Sequence, residues 1–313
     1  MSAAAAAKPV RVLLTGPEGQ LGQQLRASVP EGIELILCGR RELDLADAEA
    51  CAEAVRRHRP DWVLNSGAYT AVDRAEGEPE LALAVNAGAP EAFARALAQQ
   101  GGRLLQLSTD FVFAGDQGHP YLPAQERRPL SVYGISKAEG ERRIALELAS
   151  ERFCLLRTSW VYGPVGRNFC LTMLELHRRR AGSGEPLRVI ADQVGCPTAT
   201  HTLAPACWAV IRRGVSGVQH WSDAGAASWY DFAIAIGELA VATGLLERTA
   251  SVEPITTAEY PTPARRPAYS LLATSASRLA LELPPLHWRA ALAEVLRQRS
   301  SGSTPTPAIR RHD

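Results

Sequence analysis

The sequence predicts an α/β protein whose central parallel sheet is covered by helices on both faces. Short apolar runs alternate with longer segments whose apolar residues recur at helical spacing, a pattern typical of right-handed β-α-β units. The apolar runs are nearly continuous, as expected for strands that are buried on both faces of a sheet. Together these observations predict a doubly wound sheet with its ligands beyond the carboxyl ends of the strands.

The elements can be assigned in order along the chain. The strands predicted for the first half are Val10–Leu14, Glu34–Cys38, Trp62–Asn65, Arg103–Ser108 and Cys154–Thr158. The helices predicted between them are Gly19–Ser28, Ala46–His58, Glu80–Gln100 (with a break near Ala87–Pro90) and Tyr133–Ser150. The later predicted elements are the helices Phe169–Arg180, Leu203–Arg213, Ser228–Thr243 and Leu286–Arg299, and the strand Val218–Trp221, which is expected to rejoin the sheet.

The stretch "TGPEGQLGQQL" (Thr15–Leu25) follows the first predicted strand and opens the first helix. Gly16 is expected to permit a tight turn, Gly19 the approach of a pyrophosphate to the backbone, and Gly22 close helix packing. The unpaired N–H groups at the start of the helix favour phosphate. This context predicts a Rossmann-type dinucleotide site, although the G-x-x-G-x-x-G spacing differs from the G-x-G-x-x-G fingerprint.

The residues after the second predicted strand bear on the choice of cofactor. An acidic residue there would favour NAD, but this chain has Arg40 and Arg41, and an arginine can pair with the 2′-phosphate of NADP. Arginines that are simply exposed at a strand end are the alternative. Asp44 and Leu45 follow and are placed to border the adenine. We therefore expect NADPH as cofactor, with NADH left open.

The change of rhythm near residue 165 predicts a second, smaller domain that is partly interleaved with the first. We expect a dinucleotide-binding domain over 9–165 and about 200–222, and a C-terminal substrate-binding domain over about 166–199 and 223–299. Residues 1–8 are expected to form a flexible extension. Residues 300–313, rich in Ser, Thr, Pro and Arg, are expected to form a disordered tail.

Composition gives no indication of nucleic-acid or membrane binding. The 313-residue chain has a net charge of +1, and no apolar run approaches the roughly 18 residues of a membrane span. The six cysteines form no C-x-x-C pair and have no metal-ligand spacing. They predict buried free thiols in a cytoplasmic protein without a metal site.

A tyrosine and a lysine one helical turn apart are the candidate catalytic pair. Lys137 and Lys8 are the only lysines among 34 Lys and Arg residues, and Tyr133 precedes Lys137 by four positions. Both side chains then share one helix face. There the ammonium can lower the pKa of the phenol and hold the ribose of a nicotinamide cofactor. Thr109, after the fourth predicted strand, can orient a substrate carbonyl; a non-catalytic surface pair is the alternative.

Seven further stretches extend this pattern along the chain. They are "NSGAYTAVDRAEGEPELALAVNA" (Asn65–Ala87), "LSTDFVFAG" (Leu107–Gly115), "PLSVYGISKAEGE" (Pro129–Glu141), "LRTSWVYG" (Leu156–Gly163), "NF" (Asn168-Phe169), "IADQVGCPT" (Ile190–Thr198) and "AEYPTPARRPAYSLL" (Ala258–Leu272). Over about Val10–Arg299 the chain resembles the dTDP-4-dehydrorhamnose reductases of the extended short-chain dehydrogenase/reductase superfamily. The resemblance implies NAD(P)H-dependent reduction of the C4 ketone of dTDP-4-dehydro-L-rhamnose, for polysaccharides such as lipopolysaccharide.

The resemblance also implies roles for individual residues. The implied catalytic residues are Thr109, Tyr133 and Lys137. The implied cofactor contacts are Gly19, Gln20, Leu21, Asp44, Leu45, Gly67, Ala68 and Tyr69, beside Tyr133 and Lys137. The implied substrate contacts are Val72, Thr109, Asp110, Tyr133, Trp160, Asn168, Gln193 (with the loop to Thr198) and Arg265, with Arg266 beside it. A structural role is the alternative for Arg265 and Arg266, and core packing is the alternative for Trp160.

The chain departs from the family pattern at several positions. Phe111 stands where members often have tyrosine, and Tyr69 where many have histidine. Gln24 and His201 stand where some members have the glutamates of a metal-bridged dimer. We therefore expect a monomer or a homodimer without a bridging metal.

Two other functions remain open at this point. A non-catalytic protein resembling the regulatory β subunit of methionine adenosyltransferase would keep the same residues. A reductase, epimerase or dehydratase acting on another nucleotide sugar is the second alternative. Phe111 disfavours a dehydratase, because that activity calls for an acidic pair after the threonine, and here only Asp110 follows it.

Overall fold

The structure, a computed structural model, describes residues 8–302. Of the expected extension and tail, residues 1–7 and 303–313 lie outside the described residues, whereas Ser300 belongs to the last helix. No helix between residues 8 and 302 is long and apolar enough to cross a membrane. All six cysteines are buried and free, as the sequence predicts.

The strands and helices follow the predicted order. The strands are β1 (Val10–Thr15), β2 (Ile33–Cys38), β3 (Trp62–Asn65), β4 (Arg103–Thr109), β5 (Phe153–Thr158), β6 (Val161–Tyr162), β7 (Leu187–Ile190), β8 (Val194–Gly195), β9 (Thr198–Ala199), β10 (Gly217–His220), β11 (Ala227–Ser228) and β12 (Val252–Ile255). The helices are α1 (Gln20–Ala27), α2 (Ala48–His58), α3 (Val72–Ala75), α4 (Pro79–Leu83), α5 (Ala89–Gln100), α6 (Val132–Glu147), α7 (Phe169–Arg180), α8 (Thr200–Arg213), α9 (Trp229–Ala242), α10 (Ser275–Leu281) and α11 (Trp288–Ser300).

Six strands form one parallel sheet in the order β10-β5-β4-β3-β1-β2. The chain order reverses between β1 and β3, and open α/β sheets bind ligands at such a reversal, outside the carboxyl ends of the strands. At those ends the register sets Thr15 beside Asn65 and Thr109 beside Thr158. The doubly wound α/β class is confirmed, and so is the return of β10 to the sheet.

Helices cover both faces of this sheet. On one face α1 and α8 pack against Val12 and Leu105, and on the other α2, α5 and α6 pack against Leu13 and Val63. A separate core gathers α7, α9 and α11 around the buried Phe232. This separate core is in keeping with the expected substrate-binding domain, whose boundaries stay a prediction.

The break in the long helical segment is a π-helical turn at Ala84–Gly88, between α4 and α5. Pro90, in the first turn of α5, cannot donate a backbone hydrogen bond, which favours a local departure from the α-helical ladder. The sequence analysis did not predict α3, α10, the four-residue strands β7 and β12, or the two-residue strands. Elements of that length are too short to show a hydrophobic period.

Candidate active site

The glycine turn after β1 leaves little room for side chains. Gly16 has a positive φ of 63°, and a Cβ there would lie 3.0 Å from Gly67 Cα. A Cβ on Gly22 would lie 2.1 Å from the carbonyl oxygen of Gly16 and 2.7 Å from Pro17 Cα. Gly19 is the N-cap of α1 and places no side chain on its first N–H groups. The turn is therefore a backbone cradle at a helix N-terminus, which suits a pyrophosphate.

The loop after β3 is tied to the same turn. The Thr15 hydroxyl donates to Asn65 Oδ1 at 2.5 Å and accepts from the Gly67 N–H at 3.1 Å. The Ser66 hydroxyl donates to the carbonyl oxygen of Thr15 at 2.6 Å. The ends of β1 and β3 thus form one connected edge, with the predicted cofactor residue Gly67 against the glycine turn.

The residues predicted to border the adenine reach this edge as well. A Cβ on Gly67 would lie 2.5 Å from Leu45 Cδ1, so the segment after β2 packs against the loop after β3. Asp44 Oδ1 accepts the Ala46 N–H at 2.9 Å, which fixes the local turn. The structure therefore brings the predicted adenine-side residues to the predicted cofactor edge.

The end of β2 carries charges of both signs. Arg40 and Arg41, the residues predicted to meet a 2′-phosphate, are exposed. The carboxylates of Glu18 and Glu42 border Gly39, within 2.9 Å of where a Cβ would stand. The sequence analysis did not identify these carboxylates, because Glu18 approaches the end of β2 from the glycine turn.

Tyr133 and Lys137 lie on α6, whose start is fixed by its first residues. The Ser131 hydroxyl accepts the Gly134 N–H at 3.2 Å and caps the helix, which places Tyr133 in the first turn. Lys137 is buried, and its ammonium donates to the carbonyl oxygen of Leu107 on β4 at 2.7 Å. The lysine therefore joins the helix to the strand that ends in the candidate threonine.

Thr109 closes β4 beside the tyrosine. Its hydroxyl donates to Asp110 Oδ1 at 3.0 Å and accepts the Phe111 N–H at 3.2 Å. The Phe111 ring packs edge-on against the Tyr133 ring, with the centroids 5.5 Å apart. The structure thus gathers the predicted catalytic residues at the carboxyl end of β4, while their catalytic roles stay a prediction.

Burial controls the pKa values of the catalytic pair. Burial raises the pKa of Tyr133 to about 12, although a hydrogen bond with Thr109 lowers it; the charge of Asp110 raises it further. Burial lowers the pKa of Lys137 to about 8, against the opposing effect of the Glu141 carboxylate. The direction for Tyr133 is the opposite of the lowering that the sequence predicts, because loss of hydration dominates. At neutral pH the phenol is protonated and can donate its proton.

A buried ion pair supports α6 one turn beyond Lys137. Glu141 accepts from the Ser108 hydroxyl at 2.5 Å and from two nitrogens of Arg157 at 2.9 and 2.6 Å. Arg157 in turn lies 3.3 Å from His220 Nε2 on β10. Glu141 is four residues after the lysine, a spacing that could have indicated it, but its partner lies on a distant strand.

Asn86, on the π-helical turn, connects the loop after β3 to α6. Its Oδ1 accepts the Tyr69 N–H at 2.9 Å, and its Nδ2 donates to the Tyr69 carbonyl oxygen at 2.9 Å and to Ser136 Oγ at 3.0 Å. The sequence analysis missed Asn86, and the signal nearest to it was the predicted break of the helix. These bonds hold the predicted cofactor loop against the catalytic helix.

Trp160 follows β5 and is brought to the same edge of the sheet. It lies two residues after Thr158, the register neighbour of Thr109. Its φ of 46° is left-handed, a conformation that costs a tryptophan on the order of 1–3 kcal/mol. Its ring stacks on Trp229, with centroids 3.5 Å apart and planes 6° apart. The sequence analysis missed Trp229, because the pairing brings together distant parts of the chain.

Asn168 and Gln20, predicted for substrate and cofactor respectively, contact each other. Asn168 Oδ1 caps α7 by accepting the Leu171 N–H at 2.9 Å. Asn168 Nδ2 donates to Gln20 Oε1 at 2.7 Å and to the Gly163 carbonyl oxygen at 3.0 Å. Both polar atoms of Asn168 therefore make hydrogen bonds within the protein.

The remaining predicted substrate residues occupy different environments. Gln193 is buried, and its amide bonds to Trp229 and Thr257. Arg265 is exposed, whereas Arg266 makes two hydrogen bonds of 3.0 and 2.7 Å to Asp73 of α3. The pairing favours a structural role for Arg266. Val72, the other predicted contact, begins α3 next to this pair.

Gln24 and His201, the positions where some family members have the glutamates of a metal-bridged dimer, do not have carboxylate side chains. His201 Nε2 lies 2.9 Å from Glu294 Oε2. Across residues 8–302, no group of three or more His, Cys, Asp or Glu side chains could hold a metal ion. The oligomeric state stays a prediction.

Comparison with known proteins places these features in a family. The family model described as "RmlD substrate binding domain" matches residues 10–301. The chain is 41% identical over 270 residues to a dTDP-4-dehydrorhamnose reductase of Sinorhizobium fredii. This alignment covers 84% of this chain and 88% of that protein. It is 38% identical to the Escherichia coli dTDP-4-dehydrorhamnose reductase over 304 residues, with coverage of 92% and 98%.

A solved structure extends the similarity to three dimensions. The dTDP-4-dehydrorhamnose reductase of Bacillus anthracis, determined in complex with NADP, superposes with a TM-score of 0.84 at 32% identity. The match covers 92% of this chain and 98% of that one. The chain therefore belongs to the dTDP-4-dehydrorhamnose reductase family.

Proposed function

We propose that the chain reduces the C4 ketone of dTDP-4-dehydro-L-rhamnose to dTDP-L-rhamnose, with NADPH as hydride donor. The observation that carries this proposal is the meeting of Thr109, Tyr133 and Lys137 at the carboxyl end of β4. They stand at the same edge of the sheet as the glycine turn after β1. A proton donor and a dinucleotide cradle on one edge are what ketone reduction requires.

The residues at this edge fit a nicotinamide dinucleotide. Gly22 and Gly67 let the segments that form the cradle pack closely together, because a Cβ on either would meet protein atoms at 2.1 and 2.5 Å. The cofactor supplies a hydride when bound. Residues 20, 21, 44, 45, 68 and 69 are the further contacts we propose, with Arg40 and Arg41 able to meet a 2′-phosphate.

Residues of this chain would protonate and hydrogen-bond the C4 oxygen of the ketone. Tyr133, protonated at neutral pH, would donate its phenolic proton to the C4 oxygen as negative charge develops there. Thr109 would donate a hydrogen bond to the same oxygen. Lys137, fixed by its bond to Leu107, would place a positive charge beside the phenolate that remains and hold the ribose. Water can then return the proton to Tyr133.

Contacts to the sugar nucleotide complete the proposal. Val72, Asp110 and Trp160 would meet the sugar, and Asn168, Gln193 and Arg265 would be candidates for the dTDP part. A regulatory protein without catalysis is not favoured, since the named relatives are reductases. A second copy of this chain, if present, would not need a bridging metal.

Turnover with the substrate is the direct test. Purified protein is mixed with NADPH or NADH and dTDP-4-dehydro-L-rhamnose, and cofactor oxidation is followed by absorbance. We expect substrate-dependent oxidation, faster with NADPH. If neither cofactor is oxidised above the rate without substrate, the proposed reaction is excluded.

Protonation of Asp110 is expected to lower the activity on the acid side of the pH profile of kcat/KM, which we call the acid limb. Burial raises its pKa to about 6, although hydrogen bonds to Ser270 and Thr109 lower it. The carboxylate is therefore charged above pH 6 and neutral below, and an ionised group accepts hydrogen bonds from sugar hydroxyls more strongly. The value of kcat/KM should fall as the pH is lowered through about 6.

Asp110→Asn tests this assignment. The variant should lose the acid limb and have kcat/KM roughly 10- to 100-fold lower at pH 7.5, the cost of a hydrogen bond to a charged group. Asp116→Asn is the control, because that carboxylate is exposed and pairs with Arg128. A limb that persists unchanged in Asp110→Asn would assign it to another group.

A further inference from the structure

Two tryptophans from distant parts of the chain stack face to face beyond the end of β5, the strand that pairs with the one ending in the candidate catalytic threonine. Trp160 follows β5, whose last residue Thr158 is the neighbour of Thr109 in the sheet. Trp229 begins α9, and the two ring centroids lie 3.5 Å apart with an angle of 6° between the planes. Both side chains are only partly exposed. Trp160 is therefore two residues beyond the register neighbour of Thr109, the residue that the proposed function places at the ketone.

The conformation of Trp160 depends on its surroundings. Its left-handed φ of 46° is disfavoured for a bulky residue, so neighbouring contacts must maintain it. The carbonyl oxygen of Trp160 accepts the Thr198 N–H at 3.2 Å. Gly195 leaves the space for the ring, because a Cβ there would lie 2.7 to 2.8 Å from three indole atoms.

Trp229 is fixed by a hydrogen bond to Gln193 and by packing against Phe169. Its indole N–H donates to Gln193 Oε1 at 3.2 Å, and Gln193 Nε2 donates to Thr257 Oγ1 at 3.1 Å. Thr257 Oγ1 in turn donates to Asp192 Oδ1 at 2.7 Å. The Phe169 ring packs against Trp229 with centroids 4.6 Å apart. The segment 192–198 therefore supplies contacts to both tryptophans.

We infer that Trp229 is a positioning residue, which holds Trp160 in place for the sugar of the nucleotide substrate. Gln193 fixes Trp229 by its amide, and Gly195 gives Trp160 its room. An indole offers a flat apolar surface that suits the C–H groups of a 6-deoxyhexose. The inference rests on the proposed function, since it takes the ketone to lie beside Thr109.

Variants of Trp229 separate positioning from folding. In Trp229→Leu, KM for dTDP-4-dehydro-L-rhamnose should rise about three- to tenfold, the loss of one aromatic stacking contact, while the Kd for NADPH changes less than about twofold. Trp229→Phe keeps a ring and should recover most of the affinity.

Circular dichroism measures the stacking of Trp160 and Trp229 independently of catalysis. Two stacked indoles couple their transitions, so the wild type should show an exciton couplet without any substrate. Trp160→Phe and Trp229→Phe should each abolish the couplet, whereas Trp208→Phe, which lies in another core, should keep it. A wild-type spectrum without the couplet would overturn the stacked arrangement.

Gly195→Ala is a second variant in case Trp229→Leu does not fold. The added methyl must displace the Trp160 ring, so KM for the sugar nucleotide should rise and the couplet should weaken. Gly77→Ala is the matched control, because the nearest atom to its Cβ is 3.8 Å away. An unchanged KM in Gly195→Ala, with the couplet weakened, would overturn the inference.

The failure of this inference can be told from that of the proposed function. Binding of dTDP-L-rhamnose to the NADP-loaded protein is measured by calorimetry alongside turnover. If the wild type turns over the substrate and the variants bind dTDP-L-rhamnose as tightly as it does, only the role of Trp229 is excluded. If the wild type neither turns over the substrate nor binds this product, the proposed function itself fails, and the inference falls with it.

Discussion

Replacing Tyr133 with phenylalanine is expected to lower kcat for ketone reduction by about 10²- to 10⁴-fold, the usual contribution of a positioned acid. The change removes one oxygen and leaves the ring, which packs edge-on against Phe111. Because burial raises the pKa of the phenol to about 12, the wild-type side chain carries its proton at any pH used for the assay. The variant has no proton to give, while Thr109 and Lys137 keep their places.

The effect should be confined to the chemical step. NADPH affinity, measured by fluorescence titration, should fall much less than kcat, since an interaction made mainly in the transition state affects kcat more than ground-state binding, and Lys137 and the glycine turn are unchanged. Tyr260→Phe is the control, because Tyr260 is 58% exposed. Full turnover by Tyr133→Phe would show that another group, or water, protonates the product.

Replacing Gly22 with alanine is expected to damage cofactor binding from the opposite end of the site. The added Cβ would stand 2.1 Å from the Gly16 carbonyl oxygen and 2.7 Å from Pro17 Cα, and both neighbours are backbone. The first turn of α1 must therefore move away from the glycine turn, and overpacking of this kind costs about 1–3 kcal/mol. The N–H groups that cradle the pyrophosphate move with it.

We expect Gly22→Ala to have a lower Tm, because the overpacked turn destabilises the fold. Its NADPH affinity should be at least about tenfold weaker, which corresponds to about 1.4 kcal/mol of binding free energy lost as the N–H groups move away from the pyrophosphate. Calorimetry measures both. Gly118→Ala is the matched control, since nothing lies within 4 Å of a Cβ at that position. Wild-type NADPH affinity in Gly22→Ala would contradict the placement of the pyrophosphate on this turn.

Local sequence patterns predict most of the framework of the site. The strands of the sheet are found within one residue of their predicted ends at most positions, because each is a short apolar run that ends at a polar or glycine residue. The Tyr133 and Lys137 pair needs only a four-residue spacing on one helix. The glycine turn likewise depends on neighbours that are close in sequence.

Local sequence patterns do not predict contacts between segments that are distant in the chain. Asp73 and Arg266 are 193 residues apart in the chain, and Gln20 and Asn168 are 148 apart. Periodicity within a segment carries no information about which distant residue will be its partner. The stacking of Trp160 on Trp229 is of the same kind, and it was not predicted.

The pKa of Tyr133 shows a different limit. The sequence indicates a nearby ammonium and hence a lower pKa, but the extent of burial is a property of the folded chain. In the structure burial outweighs the other effects and raises the pKa. The same residue is therefore assigned as a proton donor, with a different physical reason for its protonation state.

The most direct measurement follows the hydride into the product. The enzyme is incubated with dTDP-4-dehydro-L-rhamnose and NADPH that carries deuterium at C4 of the nicotinamide, on the transferred face, and the nucleotide sugar is examined by mass spectrometry and NMR. The account predicts dTDP-L-rhamnose with one deuterium at C4 of the sugar. Unlabelled product, or a label at another carbon, would contradict hydride transfer to the C4 ketone at this site.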